Sequence, residues 1–226
     1  MKHWVWAFAI WLAASLALAQ VPPSPRELAS YSGLLAAAAK GDVGAIAAAI
    51  AAGADLDARD GHGRSAVHIA AHGSHYEAIK ALARAGADLR AKDSRRYDIV
   101  TIAAVKNDLA MVELALALGA DARAVTSPYD GTALIAAAHL GHAEVVAALI
   151  AGGAPLDHVN NLGWTAAMEA VVLGDGGSRH QATLRALVGA GADISIPDRA
   201  GLTPLDHARR TGYARMVEIL TVDSRR

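Results

Sequence analysis

The chain has 226 residues, 54% of them hydrophobic, and a formal net charge of −1 with histidine neutral. That length is enough to bury a core in one domain or a small pair, and the composition excludes disorder throughout. The near-neutral balance excludes a strong basic field for nucleic acid, and the lack of cysteine excludes disulfides and cysteine-linked lipid.

Residues 1–19 read as a targeting segment rather than as fold. Lys2 is followed by an apolar run from Trp4, broken only by Ser15, that ends in Ala17-Leu18-Ala19. A charged start, an apolar middle and small residues at the end make up a secretory signal peptide. Cleavage is expected between Ala19 and Gln20, which places the mature protein in the periplasm or outside the cell. The alternative, an uncleaved anchor, needs a somewhat longer run. Removing the leader takes away Lys2 and three of the four tryptophans, leaving a net charge of −2 and Trp164 alone. Nothing then remains to hold the chain at a membrane. Residues 20–29, with Pro22, Pro23 and Pro25, read as a flexible tail.

From Ser30 onward the chain repeats itself. Gly53-Ala54-Asp55, Gly86-Ala87-Asp88, Gly119-Ala120-Asp121, Gly153-Ala154-Pro155 and Gly191-Ala192-Asp193 recur at intervals of 33, 33, 34 and 38. Each follows an apolar helical stretch, and a glycine there supplies the left-handed residue that ends a helix. In phase with them, Ser32, Ser65, Asp98, Thr132, Thr165 and Thr203 are placed to cap a second, shorter helix. Turn formers lie upstream, as in Asp60-Gly61-His62-Gly63 and Asn160-Asn161-Leu162-Gly163. Each unit is thus a turn, a short helix, a tight loop, a longer helix and a glycine stop. The predicted units are about 30–59, 60–92, 93–126, 127–159, 160–197 and 198–226. Five extra residues lengthen the fifth, around 174–181.

These residues resemble the ankyrin repeat family, whose unit is a 33-residue β-turn plus two helices with a T-P-L-H-x-A signature. "TPLDHA" at Thr203–Ala208 is close to that signature, and "SAVHIAA", "TALIAAA" and "TAAMEA" are looser versions. The resemblance implies an all-α solenoid of about six helix-turn-helix units with β-hairpin or turn fingers. It implies a non-catalytic protein, monomeric when free, that binds another protein through its fingers and concave face. It also suggests two roles: an immunity or inhibitor protein, or an accessory to an exported enzyme.

The chemistry-bearing residues divide accordingly. The chain has no phosphate loop, nucleophile elbow, H-E-x-x-H or cysteine nucleophile, and its recurring aspartates sit at one repeat position, as turn-capping residues do. No enzyme, cofactor or resident metal is expected. His68, His75 and His142 fall where the family uses histidine as scaffold. His62, Arg64 and His72 in the second unit, Arg95, Tyr97 and Lys106 in the third, Tyr129 and His139 in the fourth, and Trp164 in the fifth fall at variable finger or inner-helix positions. They are the expected partner-binding residues, with Tyr97, Tyr129 and Trp164 as an aromatic row on successive fingers. The rival reading takes the histidine-rich second unit, with His68, His72 and His75, as a metal or small-ligand site, though zinc would want a fourth ligand.

Overall fold

A computed structural model describes residues 20–222. The expected leader, residues 1–19, and the terminal residues 223–226 lie outside the described residues. Two compact bodies form, residues 20–121 and residues from 122 on. Each holds three helix pairs. Among the described residues, no helix is long and apolar enough to cross a membrane.

In the first body a short helix, α1 (Pro25–Ser30), precedes the pairs α2 (Gly33–Lys40) and α3 (Val43–Ala51), α4 (Ala66–His72) and α5 (Tyr76–Arg84), and α6 (Ile99–Val105) and α7 (Leu109–Ala117). The inner helix α4 packs between α2 and α6, while α5 packs between α3 and α7. In the second body a hairpin, β1 (Val125–Thr126) and β2 (Gly131–Thr132), leads into α8 (Ala133–Leu140) and α9 (Ala143–Ala151). There follow α10 (Ala166–Val172) with α11 (Ser178–Gly189), and α12 (Pro204–Thr211) with α13 (Ala214–Val222). Here α10 packs between α8 and α12, and α11 between α9 and α13. Residues 122–126, which the period assigns to the third unit, belong to the second body, because Val125 and Thr126 pair antiparallel with Thr132 and Gly131.

The alanine bias has its use in the inner helices. Ala70–Ala71, Ala103–Ala104 and Ala137–Ala138 are completely or almost completely buried, so neighbouring backbones approach closely without large side chains between them. Longer residues such as Ile79 and Leu82 on α5, Met111 on α7 and Leu149 on α9 fill the space between inner and outer layers. Each such side chain contributes roughly 1.5–3 kcal/mol on burial.

The predicted boundaries carry the expected backbone. Gly53, Gly86, Gly119, Gly153 and Gly191 all have φ between 79° and 95°. Asp98, Thr132, Thr165 and Thr203 accept a backbone N–H at the start of their helices, whereas Ser32 makes no side-chain cap bond. The tail expected to be flexible contains a helix instead. Ser24 and Glu27 form a reciprocal capping box around Pro25 at the start of α1, a local arrangement that needs no apolar stripe. Helix α1 lies against α2, and the outward alanines of α3 (Ala45, Ala47 and Ala48) stay exposed.

Fingers approach one another closely at Gly63. It sits at φ 72°, and a Cβ there would stand 2.5 Å from Ser94 Oγ and 2.8 Å from Ser94 N. That nitrogen donates to His62 O at 3.0 Å, a bond between neighbouring fingers. Gly63→Ala is therefore expected to lower stability by about 1–3 kcal/mol. Urea denaturation checks it, and an unmoved midpoint refutes the close approach.

Candidate functional site

The fingers share one construction. Asp60 Oδ1 accepts the backbone N–H groups of His62 and Arg64, both at 2.9 Å. Asp93 does the same for Arg95 and Tyr97, Asn160 for Leu162 and Trp164, and Asp198 for Ala200 and Leu202. In the fourth unit Ser127 Oγ takes that place, accepting from Tyr129 and Gly131. A five-residue loop closed this way is pre-formed, and its last residue directly precedes the helix cap. Only the fourth finger carries paired strands among the described residues; the others are turns whose ends are joined by a backbone bond such as Asp93 N to Tyr97 O at 2.9 Å.

In the first body, two of the expected surface residues are interior. Arg64 is 0% exposed. Its Nε donates to Asp60 Oδ2 at 2.7 Å and its Nη1 to Val21 O at 2.9 Å. Its Nη2 donates to Glu27 Oε1 and, at 3.1 Å, to the Tyr31 hydroxyl. Tyr31 in turn donates to Asp60 Oδ2 at 2.5 Å. Burial opposes the guanidinium charge, but Asp60 and Glu27 outweigh it and raise the Arg64 pKa. Glu27 is held down to about 2, first by the Ser24 hydroxyl and backbone N–H and then by Arg64. Tyr97 is 4% exposed, so it leaves the aromatic row; its carbonyl lies 3.2 Å from His68 Nε2. In these two units the residue just before the helix cap turns into the body, whereas Trp164, at the same place in the fifth unit, stays half-buried.

The other residues of this body keep more exposure. His62 is on the surface, with Nε2 3.2 Å from Glu27 Oε1, and Arg95 is exposed on the next finger. Lys106 is exposed yet engaged: Nζ donates to His72 O at 2.6 Å and Ser74 Oγ at 2.7 Å, covering the C-terminal end of α4. His72 is half-buried at that end. Burial, then the positive Arg64 and Lys106, push it down to about 4.

In the second body Tyr129 and Trp164 are half-buried on fingers four and five. Asn161 N donates to Tyr129 O at 2.9 Å, tying the two loops together. Beneath them lies a polar group that sequence reasoning missed. Glu169 on α10 is 2% exposed; it accepts from Asn160 Nδ2 at 2.9 Å and lies 3.2 Å from His139 Nδ1. A signal for it existed: an asparagine stands at the finger position where units two, three and six carry aspartate.

The scaffold histidines are occupied. His68 Nδ1 lies 2.9 Å from Ser65 Oγ, and His75 Nε2 lies 3.0 Å from Ala39 O. In the lengthened fifth unit His180 takes the His75 role, with Nε2 3.0 Å from His139 O and Nδ1 2.8 Å from Asp175. Among the described residues, no three His, Cys, Asp or Glu side chains are placed to hold a metal ion together. His68 and His75 are thus committed to the scaffold, and the rival metal reading loses two of its three ligands.

Comparison with known proteins agrees with this construction. Residues 100–198 match a family model of ankyrin repeats in three copies, and residues 34–83 match one of ankyrin repeats in many copies. An ankyrin repeat domain from Acinetobacter baumannii AYE superposes with a TM-score of 0.80 at 40% identity, covering 84% of this chain and 97% of that one. The chain belongs to the ankyrin repeat family. A second solved ankyrin repeat protein matches at TM-score 0.75 and 30% identity, covering 84% of this chain and 98% of the other. The ankyrin repeat protein YahD of Escherichia coli (strain K12) is 37% identical over 81 residues, 35% of this chain and 40% of that relative's length. Ankyrin repeats are protein-binding scaffolds and typically non-catalytic.

The lowered His72 pKa makes a pH prediction. Below its ordinary pKa of 6.5 the unfolded chain takes up a proton that the folded chain refuses until about 4. Stability from this residue is therefore complete above about 6.5 and is lost as pH falls towards 4. His72→Gln is expected to flatten the decline of unfolding free energy between pH 7 and 4.5. Parallel curves for variant and parent would contradict it.

Proposed function

We propose that the protein is an exported, non-catalytic scaffold that binds a partner protein in the periplasm through its fingers. The observation that carries this reading is the state of Tyr129 and Trp164. Both side chains keep exposed surface while Ser127, Asn160 and the bond from Asn161 to Tyr129 fix their backbones. Aromatic residues held on rigid loops bring large contact area at low ordering cost, which is the usual make-up of an interface hot spot. Leu162, half-buried between them in sequence, and His139 on the inner helix extend the same surface. In the first body His62 and Arg95 are the matching exposed finger residues.

The leader supports export, and a bacterial periplasm suits a fold that uses no disulfide. Two uses fit such a scaffold: blocking a toxin or enzyme as an immunity or inhibitor protein, or supporting an exported enzyme as its accessory. Relatives from Acinetobacter and Escherichia favour a bacterial setting.

Joint Tyr129→Ala and Trp164→Ala replacement is expected to reduce partner capture from periplasmic extract at least about 10-fold with the thermal midpoint retained. Unchanged capture would refute the finger surface. Export has its own test: the full chain produced in a bacterium should yield a periplasmic species starting at Gln20. A species that keeps residues 1–19 in the cytoplasm overturns that part.

A further inference from the structure

The second finger already has an occupant, and it is the chain's own N-terminal segment. Residues 20–31 run over the finger that carries His62 and Arg64, and the segment presents three acceptors to the guanidinium: the Val21 main-chain carbonyl, the Glu27 carboxylate and the Tyr31 hydroxyl. Glu27 is oriented for this. Its other oxygen accepts from Ser24 N at 2.8 Å and Ser24 Oγ at 2.5 Å, so the capping box of α1 aims Oε1 at Arg64 and His62. Arg64 uses Nε on its own finger, at Asp60, and both remaining nitrogens on residues 21–31. A guanidinium fork with one side committed and one side offered is suited to a carboxylate together with a backbone carbonyl.

What holds the segment is polar. No residue of α1 is buried, and Val21 and Leu28 are each 42% exposed. Beside Arg64, Val21, His62, Ser94 and Arg95 line a cavity of about 100 Å³, so the segment does not fill the space between the second and third fingers. Charge-assisted contacts of this kind can be exchanged for an equivalent carboxylate and carbonyl offered by another ligand, which apolar burial does not allow. Covalent attachment gives the segment a high effective concentration, which is what keeps the weakly held strap in place.

We propose that residues 20–30 are an intramolecular stand-in for a carboxylate-bearing segment of the partner protein, which binds at Arg64 by replacing them. The proposal rests on the reading that the fingers are the partner surface, and it names the chemistry one finger recognises. When the strap leaves, Asp60 remains on Nε while Nη1 and Nη2 turn to the incoming carboxylate and carbonyl. Arg95 lines the same cavity and adds positive charge, His62 adds a ring nitrogen, and the Asp93 carboxylate that also lines it is engaged by the Arg95 and Tyr97 N–H groups of its own finger. Finger two is then a conditional site, open only to a segment that outcompetes Glu27.

The strap itself is the probe. A fluorescently labelled peptide with the sequence of residues 20–31, QVPPSPRELASY, is titrated into the chain from Gln20 onward and into its Glu27→Gln variant, with anisotropy as the readout. Weakening the internal anchor should tighten peptide binding at least about 10-fold over the parent chain, the scale of one charged hydrogen bond. A peptide with its glutamate replaced by glutamine should bind neither chain. Ser24→Ala, which loosens Glu27 without touching its charge, should tighten binding in the same direction and serves if Glu27→Gln unfolds. Equal affinity for parent and variants, no binding to any of them, or equal binding of the glutamine peptide would each overturn the proposal. The probe needs no partner protein, so its failure leaves the capture test on Tyr129 and Trp164 standing.

Discussion

One side-chain oxygen at the base of each finger sets the geometry on which the rest depends. Asp60, Asp93, Ser127, Asn160 and Asp198 each accept two backbone N–H groups, two and four residues ahead. The loop so closed delivers the chain to the cap of an inner helix at a fixed angle, and the inner helices then pack through alanine pairs. Closing the loop takes only one oxygen. Where the residue is aspartate or asparagine, its second polar atom must also be satisfied, and the answers differ from unit to unit. Asp60 Oδ2 accepts from Arg64 and Tyr31, Asn160 Nδ2 donates to Glu169, and Asp198 Oδ2 lies 2.8 Å from His207 Nε2. The individuality of the fingers grows out of these different partners on a common frame.

That is why the frame was legible in the sequence and its occupants were only partly so. A 33-residue period, glycine stops and capping residues are local signals, and each acts within a few residues of itself. The burial of Arg64 is not local. Its partner Glu27 lies 37 residues away in a proline-rich stretch with no apolar stripe to announce a helix. The one available sign was the Ser24-x-x-Glu27 spacing, a capping box that marks a helix start even in a short segment. Tyr97 was misplaced for a related reason. Membership of a finger loop gives the backbone position of a residue, but not its burial: just before the cap, Arg64 and Tyr97 are interior while Trp164 is half-buried.

The histidines show the same division. His75 and His180 both reach back to a carbonyl at the same place in the inner helix of the preceding unit, that of Ala39 and that of His139. Counting along the period finds the first and misses the second, because the fifth unit interposes residues before its histidine. The lengthened loop keeps this brace, and Tyr213 O–H donates to Gly174 O at 3.2 Å to hold its start. The insertion is thus tied into the scaffold at both ends.

Glu169 is the most deeply buried carboxylate of this network. A carboxylate that is 2% exposed is costly unless donors surround it, and it has Asn160 on one side and His139 on the other. An aspartate at 160, the choice of the other turn fingers, would close the loop equally well but would set a second carboxylate against the first. Asparagine closes the loop with its oxygen and donates to Glu169 with its nitrogen. The loop bearing Trp164, the core of α10 and His139 on α8 therefore form one hydrogen-bonded unit within the second body. His139 and the backbone of Trp164 are thus joined through Glu169 and Asn160 although 25 residues separate them in the chain.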